Sequence, residues 1–361
     1  MLKIMHIVGA RPNFPKVAPI MAEMAKRPDC FDQLLVHTGQ HYDYDMSQIF
    51  FEHLEMPEPN EFLNVGSGSH AVQTANVMTA FEPLVLKYRP DWVFVVGDVN
   101  STLGCALVCA KTGTRVAHVE AGLRSRDRTM PEEVNRLLTD QISDLLFTPS
   151  KDADENLLSE GIEPNKIHFV GNVMIDTLVK LLPKALERQK QQDLGLTTKG
   201  YILVTLHRPS NVDDSTTLRG ILQALAEISR EVPVIFPVHP RTRQRIRSLN
   251  QTPPNMTLQL IDPLGYLDFL ALMNAAALVV TDSGGIQEET TYLGVPCLTA
   301  RQNTERPLTL TEGTNRLVDS RYEDILAGMK DSLGRQRTVP RRPELWDGQA
   351  ATRICASVLR M

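Results

Sequence analysis

Short β-branched apolar runs alternate with helix-length amphipathic segments almost from end to end of the chain. A strand buried on both faces reads as a near-continuous apolar run, and its parallel neighbour is reached through a crossover helix. The alternation therefore specifies parallel sheets covered by helices on both faces. In the first half the runs are "KIMHIVG", "QLLVHTG", "DWVFVVGD", "TRVAHVE" and "LLFTPS", with helices expected over 16–26, 71–88 and 102–111. After "NKIHFVGN" a second series follows: "YILVTLH", "PVIFPVH", "TLQLI", "ALVVTDSGG" and "VPCLTA". With 361 residues the chain can hold two domains, each with its own core. The expected fold is α/β, two doubly wound Rossmann-like domains facing a central cleft. The first is expected over 1–170 and the second over 171–345, with a hinge near Gly171 and a polar connector, "DLGLTTKG", after the next helix. Residues 346–361 are expected to form a C-terminal helix that packs back on one domain, the N-terminal one being the working placement; "GRQRTVPRRPELW" before it is expected to be a loop.

The charge pattern narrows the partners. Net charge is −5, and lysines and arginines are spread along the chain, which argues against a nucleic-acid groove or a basic membrane patch. No stretch approaches the ~20 apolar residues of a membrane span, so a cytoplasmic location is expected. The five cysteines occur singly except for Cys105 and Cys109, at helical spacing without accompanying histidines. They are expected to be reduced core residues, not metal ligands. Small ligands remain.

In open α/β sheets ligands bind beyond the carboxyl ends of strands. "LVVTDSGGIQEE" places Ser283, Gly284 and Gly285 between a strand and a helix, where glycines admit an anion to free amides and the positive end of the helix dipole. Glu288 and Glu289, a turn further on, suit ribose hydroxyls. An ordinary serine N-cap explains the same residues about as well. "IVGARPNFPK" lacks the glycine-x-glycine dinucleotide fingerprint, so no nicotinamide cofactor is expected, but it offers Arg11 and Lys16 as phosphate contacts. His207 and Arg208 end "YILVTLHR", and His239 ends "PVIFPVH". Each alone reads as a surface residue; together, at several strand ends, they suggest an anionic ligand.

The strands "DWVFVVGD" and "TRVAHVE" end on Asp98 and Glu120, with Glu132 and Glu133 expected in the loop beyond. Acids facing a phosphate-binding half suggest proton transfer on the sugar of a nucleotide-sugar. The competing explanation is an arginine–carboxylate network pinning a long loop through Arg124, Arg126, Arg128 and Arg136. No metal is needed if the arginines of "GLRSRDR" neutralise the acids.

Taken in order, "GARPNFPKVAP", "HTGQH", "GDVNST", "HVEAGLRS", "MPEEVNR", "GN" with Asp176 beyond it, "TLHR", "PVHP", "TDSGGIQEE", "TERP", "GTN" and "DGQA" resemble the non-hydrolysing UDP-N-acetylglucosamine 2-epimerases. That resemblance implies a glycosyltransferase-B type fold, a homodimer, a UDP-sugar substrate and no cofactor. It implies reversible C2 epimerisation of UDP-N-acetylglucosamine to UDP-N-acetylmannosamine, by anti elimination of UDP to 2-acetamidoglucal and re-addition, in making cell-surface polysaccharide precursors. Asp98, Glu120 and Glu132 fall on the family's catalytic carboxylates, with His207 beside them. Arg11, Lys16, His239, Ser283, Gly284, Gly285, Glu289 and Arg306 fall on substrate-binding positions, and Phe269 on the uracil region. "QHYDYDMS" departs from the longer polar pattern of members activated by their own substrate. Three other activities are compatible with the same motifs: epimerisation of a UDP-diacetamido-uronic acid, a hydrolysing epimerase, and UDP-sugar glycosyl transfer.

Overall fold

The computed structural model describes residues 1–39, 51, 53–249, 258–334 and 342–361, with the side chain of Arg11 outside this set. Two compact units form: Met1–Lys180 with Glu344–Met361, and Leu181–Pro343.

The first unit is built on a seven-stranded parallel sheet of order β3-β2-β1-β4-β5-β6-β7. Its strands are β1 (Leu2–Val8), β2 (Phe31–His37), β3 (Glu61–Phe62), β4 (Trp92–Val96), β5 (Arg115–Val119), β6 (Leu145–Thr148) and β7 (Ile167–Phe169). Every residue of β4 is buried, as expected of a central strand with helices on both faces. Packing Phe94 at 0% exposure contributes about 1.5–3 kcal/mol. The second unit holds a six-stranded sheet of order β10-β9-β8-β11-β12-β13: β8 (Ile202–Thr205), β9 (Val234–Pro237), β10 (Leu258–Ile261), β11 (Leu278–Thr281), β12 (Cys297–Ala300) and β13 (Asn315–Val318). Its core joins Val204, Val280 and Phe236 to the apolar face of the helix Ser215–Ile228.

In both sheets the third, second, first and fourth strands of the unit lie side by side, so the chain reverses its direction of growth between β1 and β4, and again between β8 and β11. Such switch points open a crevice at the carboxyl ends of the two strands.

The units divide inside the helix Val173–Glu187, not at Gly171 as the composition suggested. The first turns of that helix belong to the first unit. Thr177 Oγ1 donates to the Pro15 carbonyl at 2.5 Å, and the Asp176 carboxylate accepts from the Ala350 and Ala351 amides at 3.1 and 2.7 Å. Those are orphan donors at the start of the helix Ala350–Val358. Burial pushes the Asp176 carboxyl up to about 6, against the two amides. Trp346 Nε1 adds a bond to the Pro149 carbonyl at 3.0 Å. "GN…D" and "DGQA" are thus two halves of one clamp.

Candidate active site

At the first switch point the loop after β1 is stapled to β4 by Asn13. Its Oδ1 accepts from the Gly9 and Ala10 amides at 3.0 Å each, and its Nδ2 donates to the Val96 carbonyl at 3.1 Å. Two residues into the helix Phe14–Ala25, the buried Lys16 forms an ion pair with Glu120. Gly97, at φ +65°, passes beside this pair. A Cβ there would lie 2.9 Å from Lys16 Nζ and 3.5 Å from Glu120 Oε2, so both conformation and space require glycine.

Val96 pairs with Val119, so β4 and β5 end level and release Asp98 and Glu120 from adjacent strands. Glu120 has φ +70°, with its own amide and that of Ala121 donating to the Phe147 carbonyl at 3.0 and 3.1 Å. A glutamate in the left-handed region costs about 1–3 kcal/mol and persists only where surrounding bonds over-determine it. Asp98 receives Arg136 Nη1 at 2.6 Å, and its carbonyl receives Asn135 Nδ2 at 2.9 Å.

Glu132 and Glu133 are not in a loop. They occupy the first turn of the helix Pro131–Ile142, where carboxylates favour the dipole, and their roles differ. Glu133 is buried and accepts from the Ser125 and Arg126 amides at 2.9 Å each and from the Ser125 hydroxyl at 3.0 Å, while pairing with Arg136. Burial raises its pKa, but these donors prevail and hold it below the usual range. Glu132 is half-buried and, among the described residues, has no hydrogen-bond or ion-pair partner. The loop-pinning network is therefore real and involves Glu133, whereas Glu132 stands outside it. The neutralising cations also differ from those expected: Lys16 serves Glu120 and Arg136 serves Asp98, while Arg124 pairs with Asp140 and Glu160.

At the second switch point the organiser is Asp282, at the end of β11. Its carboxylate accepts from the His207 amide at 3.1 Å and from the Arg208 amide and Asn211 Nδ2 at 3.0 Å each, and His207 Nδ1 lies 2.9 Å away. Burial pushes this carboxyl up, but the His207, Asn211 and Arg208 bonds outweigh it and hold the pKa below its ordinary value. The His207 ring is left mostly exposed. Ser283 holds the N-cap position of the helix Gly284–Leu293, yet its side chain makes no capping bond. The plain N-cap explanation thus accounts for its position but not for its hydroxyl.

Behind that helix start lies a buried charge cluster. Arg306 pairs with Glu288 at 3.0 Å and with Glu305, which also binds Arg301 at 2.7 Å. Gly284 makes room for it, because a Cβ would meet Arg306 Nη1 at 2.4 Å. Gln287 Oε1 accepts from Thr304 and Asn315 at 2.7 and 2.9 Å, tying "TERP" and "GTN" to "SGGIQ". Tyr266 donates to Glu289 Oε1 at 2.6 Å; burial first and the neighbouring Glu288 second push Glu289 up to about 7 against this bond.

Phe269 is half-buried in the helix Tyr266–Ala275. His239 is exposed and caps the helix Pro240–Ser248 by accepting from the Arg241 amide at 3.3 Å. Arg11 opens a 3-10 turn after β1, and Gln40, His41 and the rest of "QHYDYDMS" lie outside the described residues. Sequence reasoning missed Asn13, Asp282 and Tyr266. Asp282 sits inside the quoted "TDSGG" motif at a strand end, a signal available without the structure.

The UDP-N-acetylglucosamine 2-epimerase family matches residues 22–359, a span that includes both switch-point strand ends with Asp98, Glu120, Asp282 and Ser283. The chain belongs to this family. Among its relatives, a UDP-N-acetylglucosamine 2-epimerase of Methanococcus maripaludis is 43% identical over 93% of each chain. A UDP-2,3-diacetamido-2,3-dideoxy-D-glucuronate 2-epimerase of Pseudomonas aeruginosa is 41% identical over 100% of each. The crystal structure of Methanocaldococcus jannaschii UDP-GlcNAc 2-epimerase in complex with UDP-GlcNAc and UDP superposes with a TM-score of 0.92, at 42% identity over 100% of both chains. Like the family, the chain is an epimerase, an isomerase of nucleotide-sugars on a glycosyltransferase-B type fold. No helix of the described residues is long and apolar enough to cross a membrane.

Proposed function

We propose that the protein interconverts UDP-N-acetylglucosamine and UDP-N-acetylmannosamine without net hydrolysis. The observation that carries this reading is the trio Asp98, Glu120 and Glu132 around the first switch point, in a chain whose 42%-identical structural relative was captured with UDP-GlcNAc and UDP. The C2 proton has no adjacent carbonyl and is too weakly acidic to leave first. Departure of UDP from C1 builds cationic character there and acidifies it. One carboxylate takes the C2 proton, the C2–H electrons become the C1=C2 bond of 2-acetamidoglucal, and the C1–O electrons leave with UDP. Return of a proton to the opposite face and re-addition of UDP give the epimer, which requires two acids and gives a third the task of stabilising charge at C1.

In this reading Lys16 gives the buried Glu120 its counter-charge, and Arg136 gives the partly exposed Asp98 its own. His207, aimed by Asp282, with Arg11, His239, the Ser283 hydroxyl and the amides of Gly284 and Gly285, receives the diphosphate. Glu289 accepts from the ribose, Phe269 lies against the uracil, and Arg306 braces the helix start. No cofactor or metal enters the cycle. The enzyme works in the cytoplasm as a homodimer and supplies a precursor of surface polysaccharide.

The P. aeruginosa relative favours a second substrate, a UDP-diacetamido-uronic acid. Proton NMR in deuterated water with each sugar separates the two. Deuterium at C2 in both UDP-N-acetylglucosamine and its epimer supports the first reading. Exchange only with the uronic acid transfers the assignment to it, and free N-acetylmannosamine with UDP shows the hydrolysing reaction.

A further inference from the structure

The strand β5 carries a histidine, His118, that is 0% exposed. Its Nδ1 lies 2.6 Å from Asp140 Oδ1 and its Nε2 lies 2.8 Å from the Gly97 carbonyl. A carbonyl can only accept, so Nε2 donates to Gly97, while Nδ1 and the Asp140 carboxyl are hydrogen-bonded to each other. The second oxygen of Asp140 accepts from the Gly122 amide at 3.1 Å and pairs with Arg124 Nη2 at 2.7 Å. This pair therefore touches the residue before Asp98 on one side and, on the other, the loop two residues beyond Glu120. Asp140 also lies on the helix whose earlier turns present Glu132 and hold Asp98 through Asn135 and Arg136. Burying a polar pair returns little stability, and an apolar pair of similar volume would hold strand and helix together as well. What an apolar pair could not do is fix the direction of the Gly97 carbonyl and the Gly122 amide, where Gly97, Glu120 and Gly122 all have positive φ.

We infer that His118 and Asp140 are positioning residues that set the aim of Asp98 against Glu120. The inference rests on the carboxylate roles proposed above. Neither residue reaches the sugar. Misalignment should weaken proton delivery to one face more than removal from the other.

Two isosteric variants divide the pair's bonds. In His118→Asn the amide nitrogen stands in for Nδ1, keeping Asp140 and losing Gly97. In His118→Gln it stands in for Nε2, keeping Gly97 and losing Asp140. Both are compared with Asp140→Asn by deuterium incorporation at C2, product ratio, KM, UDP affinity by calorimetry and thermal melting, with rates normalised to folded protein. For His118→Asn the expected result is a 10- to 100-fold fall in kcat, with KM and UDP affinity within about threefold. Deuterated starting sugar should accumulate severalfold over deuterated epimer, and His118→Gln should recover part of the rate. If kcat per folded molecule and the ratio of exchange to inversion both stay at wild-type values in His118→Asn and Asp140→Asn, the pair is structural only and the inference fails. Wild-type protein that exchanges C2 of neither sugar overturns the functional reading itself, and the inference with it.

Discussion

The two switch points share one topology and use an aspartate at equivalent strand ends in opposite ways. Asp98 follows β4 and turns its carboxylate to Arg136, leaving its side chain 27% exposed. Asp282 follows β11 and turns inward at 0% exposure to gather the His207 and Arg208 amides. The first unit thus releases Asp98 and Glu120 from its strand ends, each paired with one cation, and leaves Glu132 without one among the described residues. The second spends its acid on architecture and presents donors: a histidine ring, an uncapping serine hydroxyl and helix-start amides. Residue type and topological place are the same, and what separates chemistry from scaffold is whether neighbouring backbone donors are there to consume the carboxylate.

The strongest test of that contrast lies in the first unit. Glu120→Gln keeps shape and removes one of the three carboxylates proposed to act on the sugar, so kcat for C2 exchange should fall by about 10²–10⁴-fold. Because Lys16 would then be buried without its carboxylate, the melting temperature should fall too. Glu120→Gln at near wild-type kcat would end the assignment. The neighbouring acids sharpen the point: Glu133→Gln should destabilise by about 2–3 kcal/mol through lost bonds to Ser125, Arg126 and Arg136. Glu132→Gln should leave stability nearly unchanged and cost kcat. Chemical denaturation beside turnover distinguishes them.

The counterpart in the second unit is Asp282→Asn, expected to cost about 2–3 kcal/mol and to weaken UDP binding through misplacement of His207. The Asp282 carboxyl is held below its ordinary value, so in acid the unfolded chain takes up this proton first. Its stabilisation is present above about pH 4 and lost as pH falls through the lower folded value. Melting between pH 3 and 6 should therefore be less steep in the variant than in wild type. Equal slopes would mean that Asp282 carries no charge-dependent load.

Glu289 gives the opposite sign. Its folded pKa is about 7 against an ordinary 4.5, so the folded protein holds a proton that the unfolded chain has released. That stabilisation is present below about 4.5 and is lost as pH rises to about 7. Glu289→Gln should match wild type near pH 4 and melt a few degrees higher at pH 8, while UDP affinity falls if the carboxylate accepts from ribose. A variant less stable at pH 8 than wild type contradicts the raised pKa.

Much of the scaffold was legible because buried parallel strands announce themselves: the apolar runs named from sequence are strands, and both sheets are parallel. The short strands Glu61–Phe62 and Asn315–Val318 escaped notice because they are brief and carry polar residues. The acids at the ends of β4 and β5 were found by position alone. Their cations were not, since Lys16 reaches Glu120 across 104 residues of sequence and Arg136 reaches Asp98 across 38, whereas the nearby "GLRSRDR" arginines look equally suitable on paper. The division of labour between Glu132 and Glu133 was equally hidden, because it depends on which face of one helix turn meets the Ser125 and Arg126 amides.

Ser283 offers the smallest and most selective effect. An N-cap serine that accepts from an amide loses about 1 kcal/mol on truncation to alanine. Ser283 occupies the N-cap of the helix Gly284–Leu293 in an extended conformation without making that bond, so Ser283→Ala should change stability by less than about 0.5 kcal/mol. If its hydroxyl serves the diphosphate, UDP affinity should fall by about 3- to 10-fold, the worth of one hydrogen bond to a charged oxygen that the helix-start amides partly replace. Denaturation and calorimetry on the same variant therefore move apart when the residue serves a ligand and together when it serves the helix. A full 1 kcal/mol loss of stability with UDP binding unchanged would return Ser283 to ordinary capping and leave the second switch point with the His207 ring and backbone donors.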